Sequence, residues 1–290
     1  MAQNKNRIFK DLLELSKVKI TFAVSFTTIL GYILAQPAFD STMALTTIGL
    51  FLLACGSAAL NQYQEYELDA LMERTKNRPI PSGRISPTMA LLFALTLIVG
   101  GSYILYAVAG FLAMQLGVLT LIWYNAIYTP LKRKTAFAVV PGSVIGALPP
   151  MVGYVAGGGY LGDPEIIAFA FFMFMWQIPH FWLLALKFGA DYQKAGFPSI
   201  TSHYSSDQLK KITFVWTVAT AVSSLLLTVM GVYTSVFLAI ILMLISIGLV
   251  LVFSKLLFDN DQKINFIRYF LYINIYLLLV MISITVGVFV

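Results

Sequence analysis

The chain has 290 residues, of which 59% are hydrophobic and only 11% are charged, against roughly 25% charged in an ordinary soluble domain. That excludes a typical water-soluble domain and a disordered chain, and a single cysteine excludes a disulfide scaffold. The net charge of +6 raises the question of nucleic acid, which the distribution of the charge answers.

In chain order, nine mostly apolar segments are predicted as membrane-spanning helices: 20–36, 43–61, 88–108, 111–129, 138–156, 165–186, 212–232, 235–257 and 266–289. Each approaches the roughly 20 residues needed to cross a bilayer core. None alternates as barrel strands do. The expected fold is therefore all-α, one polytopic domain over 1–290. The charged first 19 residues lack the apolar core of a signal peptide.

All 19 Lys and Arg fall on one side of that topology. They lie in the N-terminal arm, in the 62–87, 130–137 and 187–211 loops, and in a last basic stretch holding Lys255, Lys263 and Arg268. The opposite connections, 37–42, 109–110, 157–164 and 233–234, carry none. The positive-inside rule then puts the N-terminus and the basic loops in the cytoplasm and the C-terminus outside. The basic balance is topological, and no nucleic-acid partner is needed to explain it.

The second span ends in Asn61, Glu65 and Asp69, four residues apart, which form one stripe if the helix continues. Two acids at that spacing repel unless a cation lies between them. Their oxygens suit Mg²⁺, which keeps waters and binds through carboxylates and substrate phosphates. Arg74 and Arg78 follow at once and can fork onto phosphate oxygens. The competing reading is a solvated helix end with ordinary ion pairs.

The sixth span carries His180, then Lys187 and Asp191, seven and eleven residues on and close to one helical line. His180 lies about 10 Å deeper than Lys187. It is either a functional group at depth or a neutral histidine bonded between helices. Tyr128 and Lys132 end the fourth span at the same i,i+4 spacing, with Pro130 between them. Alone they read as an aromatic-belt anchor and a topology signal. The Pro and Gly residues of the fifth span, from Pro141 to Gly153, allow close packing or line a cavity. His203, in a polar loop, reads as a solvated surface residue.

Together these features resemble the UbiA superfamily of intramembrane prenyltransferases. The resemblance covers nearly the whole chain and rests on Asn61-x3-Glu65-x3-Asp69, on Tyr128-x3-Lys132, and on loops after spans two and six. Within the superfamily the haem-farnesylating branch is most similar. The strings that carry this are Met72-Glu73-Arg74-Thr75-Lys76-Asn77-Arg78-Pro79, Gln177-Ile178-Pro179-His180-Phe181-Trp182 and Asp191-Tyr192-x-x-Ala195-Gly196. The chain has Glu65 where the superfamily often has Asp, and Ala195 where a second acidic motif would place another acid.

The resemblance implies transfer of a farnesyl group from farnesyl diphosphate to a vinyl group of haem B, with Mg²⁺ as cofactor. It implies metal ligation by Glu65 and Asp69, supported by Asn61 and Asp191. Arg74, Arg78, Lys132 and Lys187 are implied as diphosphate ligands, Tyr128 as a face for the allylic cation, and His180 as the haem-orienting residue. A downstream haem A synthase or the oxidase assembly machinery is the implied partner beyond the substrates and the lipid bilayer. The rival readings are a prenyltransferase acting on an aromatic quinone precursor and a membrane transporter.

Overall fold

A backbone surrounded by lipid must satisfy its own hydrogen bonds, and apolar runs of this length do so as helices. The computed structural model describes residues 2–198, 200–233, 235–258 and 266–289, with the backbone alone for 2–6, 190 and 202. Lys263 and Val290 lie outside the described residues, as does the side chain of Lys5. Among the described residues there is no strand.

Helix α1 (Ala2–Leu15) precedes α2 (Val18–Ala35). Helix α3 (Ser41–Asp69) starts at Asp40, whose carboxylate accepts from the Met43 amide at 2.8 Å. Helix α4 (Pro87–Ile122) has Ser86 as its cap and Pro87 in its first turn. It continues through a π-turn (Trp123–Tyr128) into the short α5 (Thr129–Leu131). Then come α6 (Val139–Gly142), α7 (Val144–Ala156), α8 (Pro164–Lys194) and α9 (Ser206–Val229). Two further helices, α10 (Val236–Phe258) and α11 (Phe266–Phe289), complete the bundle.

Eight stretches are long and apolar enough to cross a membrane, one of them the 45-residue run Pro87–Leu131. That run reverses at Gly110, with φ 83° and ψ −179°, a conformation open to glycine. Gly117 lies within van der Waals reach of Leu105, twelve residues earlier, which a straight helix would hold about 18 Å away. The run is therefore a hairpin of two legs, matching the predicted 88–108 and 111–129 segments. In two other places helices outlast the apolar runs. Helix α3 continues to Asp69 and α8 to Lys194, so the connections are shorter than the expected 62–87 and 187–211 loops.

Small residues let backbones touch. A Cβ at Gly153 would overlap the Thr28 carbonyl, and one at Gly31 the Pro150 carbonyl, which locks α7 against α2. Gly49, Gly56 and Gly101 do the same between α3 and α4. The outer surface is apolar, with Phe22, Leu92, Val99, Tyr103 and Leu251 exposed, as a lipid-facing surface requires. Helices α8 to α11 close on a solid core of Phe169, Phe172, Phe253 and Leu242. The open space lies in the other half, among α2, α3, the second leg of α4, α7 and α8.

Candidate active site

The continuing turns of α3 turn the sequence stripe into a stack of facing side chains. Asn61 Nδ2 donates to Glu65 Oε2 at 3.1 Å, so the i,i+4 relation is realised. Glu65 and Asp69 are 4% and 2% exposed, and Asn61 and Gln62 are equally buried. Each acid meets a cation from another segment. Lys132 Nζ lies 2.6 Å from Glu65 Oε2, and Arg78 Nη1 lies 2.6 Å from Asp69 Oδ2. The Thr75 hydroxyl donates to the Asp69 carbonyl at 2.8 Å and holds the turn that aims Arg78 back at the helix end.

Pro130 cannot donate to the helix, and the π-turn before it absorbs the defect. The Lys132 amide then reaches the Tyr128 carbonyl at 3.0 Å. Tyr128 and Lys132 thus keep their i,i+4 relation across the proline. The rings of Tyr124, Tyr128 and Phe181 stack in series, with centroids 5.9 and 6.4 Å apart.

Lys17 joins the site, although its sequence position marked it only as a topology residue. It occupies the left-handed region, φ 47° and ψ 45°, at the α1–α2 junction. Its ammonium donates to Asn61 Oδ1 at 3.0 Å and to the Tyr124 hydroxyl at 3.4 Å. Burial, with Arg78 and Lys132 nearby, pulls Lys17 down to about 7. The junction is pinned from two sides. Gln62 donates to the Glu14 and Leu15 carbonyls, and Arg84 pairs with Asp11 and Glu14. A lysine just outside an apolar run, half-buried in the fold, is the residue that sequence reading missed.

Asn61 is a hub. Its oxygen accepts from Lys17 and Tyr124, and its nitrogen also donates to Thr129 at 3.0 Å. With its amide so occupied, Asn61 is placed to organise the acids rather than to offer a free ligand oxygen.

A cavity of about 490 Å³ runs down from this cluster. Asn61, Glu65, Asp69, Arg74, Arg78, Tyr128 and Lys132 line it, together with Lys17, Tyr124, Gln177, Tyr192 and Phe197. Three predicted residues do not line it. Asp191 is beside the lining residue Tyr192, but no group of three acid, His or Cys side chains is gathered for a metal among the described residues. Lys187 is exposed, with its ammonium 4.7 Å from the centre of the Phe188 ring, and Arg74 lies 4.9 Å from that ring. His180 faces away, its ring 4.6 Å from both Trp176 and Phe270. His203 is exposed, as read from its loop.

The acids fit a hard divalent cation on one observation in particular. Glu65 Oε1 is buried with no hydrogen-bond partner among the described residues, a costly state for a carboxylate oxygen. Two carboxylates are few for an all-protein cage but suit an ion that keeps waters and takes substrate phosphate.

The chain matches the UbiA prenyltransferase family over residues 24–278 and belongs to that family. It is a multi-pass membrane protein. It is 39% identical to the protoheme IX farnesyltransferase of Geobacter sulfurreducens over 219 residues, 76% of this chain and 81% of that one. It is 36% identical to the protoheme IX farnesyltransferase of Aquifex aeolicus over 264 residues, 89% and 90% of the two chains. Among solved structures, a digeranylgeranylglyceryl phosphate synthase has the same fold, with a TM-score of 0.79 at 17% identity over 97% of this chain and 98% of that one. A UbiA homologue from Archaeoglobus fulgidus, solved with GPP and Mg²⁺, has a TM-score of 0.68 at 14% identity over 94% and 99%.

Proposed function

We propose that the chain transfers the farnesyl group of farnesyl diphosphate to a vinyl group of haem B, giving haem O and diphosphate. The observation that carries the donor half is the pairing of Glu65 with Lys132 and of Asp69 with Arg78 at the head of an apolar cavity. The names of relatives at 34–40% identity support the haem half.

The cavity head carries Lys17, Arg74, Arg78 and Lys132 against Glu14, Glu65 and Asp69. These four basic groups outnumber the three acids, and a divalent cation would add to that excess, which suits the anionic head of a prenyl diphosphate. When bound at Glu65 and Asp69, Mg²⁺ would supply Lewis-acid stabilisation of the leaving group's charge.

The two ion pairs are the resting arrangement. Diphosphate oxygens draw Lys132 and Arg78 off the carboxylates, and both cations then hold the leaving group through charge-assisted bonds. The C1–O bond breaks with its electron pair passing to the diphosphate. These cations stabilise that developing charge more than the ground state, which is what lowers a barrier. The allylic cation left behind lies against the Tyr124–Tyr128–Phe181 faces, which attract positive charge. The surrounding apolar wall excludes water until the haem vinyl π-electrons form the new carbon–carbon bond. Water then adds to the adjacent carbon and a proton leaves, completing the hydroxyethylfarnesyl side chain. The same reading puts the cavity mouth, the N-terminus and the basic loops in the cytoplasm.

The test is incubation of membranes containing the protein with labelled farnesyl diphosphate and Mg²⁺, adding haem B or a hydroxybenzoate. Label in haem O, identified by mass spectrometry, supports the proposal. Label in the hydroxybenzoate makes the protein a quinone-type prenyltransferase. Label in neither, with donor left intact, removes the prenyltransferase reading and favours the transporter.

A further inference from the structure

We infer that Leu50, Leu53 and Gly117 form a floor that sets the length of the prenyl chain the cavity accepts, with fifteen carbons the best fit. The inference rests on the prenyl-diphosphate reading of the cavity but not on the identity of the acceptor.

Two helices measure the depth independently. On α3 the lining runs as one stripe from Asp69 through Glu65, Asn61, Ser57 and Ala54 to Leu53 and Leu50, with Ala58 and Gln62 beside it. On the facing leg they run from Lys132 through Tyr128, Tyr124 and Thr120 to Gly117. The two stripes are joined at the head by the Glu65–Lys132 pair. They meet again at the foot, where a Cβ on Gly117 would lie 2.9 Å from Leu53 Cδ2 and 2.8 Å from Leu105 Cδ1.

Between these ends is a neck, where Lys17, Asn61 and Tyr124 are hydrogen-bonded across the opening. Charged groups lie at or above the neck and the lining below it is mainly apolar. From Asn61 to Leu53 is eight residues and to Leu50 eleven, or about 12 and 16 Å of helix. From Tyr124 to Gly117 is seven residues, or about 10 Å. Beneath, Leu50 and Leu53 are packed against Leu105, Leu116, Leu148 and Val152. The chamber ends on a filled core.

An extended chain advances roughly 3.3–3.6 Å per three backbone bonds. At that pitch the eleven bonds along a farnesyl chain span about 13 Å, which passes Gly117 on the wall and ends between the levels of Leu53 and Leu50. A geranyl chain, with seven bonds, stops about 5 Å short, and a geranylgeranyl chain, with fifteen, spans about 17 Å and runs into the Leu50 side chain and the packed core beneath it. Leu50 and Leu53 are side chains that truncation can remove. Gly117 is the wall position where an added methyl pushes Leu53 into the chamber.

The experiment uses the purified full chain in detergent with Mg²⁺ and geranyl, farnesyl or geranylgeranyl diphosphate. Protection against thermal unfolding reads donor affinity without any acceptor, and haem-product masses are read in parallel. Wild type should prefer farnesyl over each neighbour by on the order of tenfold. Leu50→Ala and Leu53→Ala should bring geranylgeranyl level with or above farnesyl, and Gly117→Ala should shift preference to geranyl. The opposite directions separate a changed floor from general damage. The same ranking of donors in wild type and all three variants would overturn the inference. A shift in ranking with no haem product would uphold the floor and overturn the haem acceptor.

Discussion

Glu65 and Lys132 stand 67 positions apart in sequence and 2.6 Å apart in space. The bond closes the head of the cavity and also balances a carboxylate that is almost fully buried. On the proposed reading each residue therefore has two roles, holding the ligand-free fold together and receiving substrate.

Those roles separate in a double-mutant cycle. Glu65→Gln leaves Lys132 without its counter-charge, and Lys132→Met leaves the buried Glu65 carboxylate without its counter-charge, with the Asn61 amide still donating to Oε2. Each should cost about 1–3 kcal/mol of stability, toward the low end because Lys132 keeps 20% of its side chain exposed. The double variant should recover most of that loss while remaining inactive. Thermal unfolding in detergent gives the coupling, and strictly additive losses would show that the two groups do not support one another.

Asp69→Asn keeps the shape of the side chain and removes the anion. Its partner Arg78 is 20% exposed and can turn to water, so the fold should survive. Turnover should fall on the order of 10²-fold or more, and excess EDTA should do the same to the unaltered protein. Full activity of Asp69→Asn, or full activity in EDTA, would remove the metal role assigned to this acid.

The spans were legible because lipid tolerates few alternatives to a long apolar helix, and even the reversal at Gly110 fell in the predicted 109–110 connection. The acidic stripe was legible because i,i+4 spacing is a property of one helix. What lay hidden depends on two helices at once. Helical angles put His180, Lys187 and Asp191 near one line, yet they do not say which neighbour that line faces, and only Tyr192 and Phe181 of this stretch reach the cavity with Gln177. Lys17 was hidden for another reason. A lysine beside a membrane span is a topology signal by default, and its entry into the site follows from a left-handed turn and from the Gln62 and Arg84 contacts that pin α1. The lengths of the two large loops were overestimated because charge was taken as the end of the helix, whereas the helix runs past it.

Topology offers a direct check. With all 19 basic residues on one side and the Gly110 hairpin counted as two legs, a reporter inserted after Lys134 should read as cytoplasmic. One fused after Val290 should read as outside. A cytoplasmic signal at Val290 would mean that one of the nine predicted segments does not cross.

His180 supplies the last test, and its surroundings sharpen it. The ring lies 4.6 Å from Trp176 on its own helix and 4.6 Å from Phe270 on α11. It therefore contributes to the contact between α8 and α11, and His180→Ala should lower the thermal midpoint. Packing does not account for the whole residue, because Nδ1 is buried with no hydrogen-bond partner among the described residues, a state that costs roughly 1–3 kcal/mol. A phenylalanine would fill the same space without that cost. If His180 served packing alone, His180→Phe would be neutral or stabilising and fully active. If its Nδ1 orients haem, as the family resemblance implies, His180→Phe should keep the melting point and lose haem affinity by on the order of tenfold, the worth of one hydrogen bond to a charged or metal-bearing ligand. Haem titration by the Soret band, with melting followed in parallel, distinguishes the two. Wild-type haem affinity in His180→Phe would assign the residue to the α8–α11 contact alone.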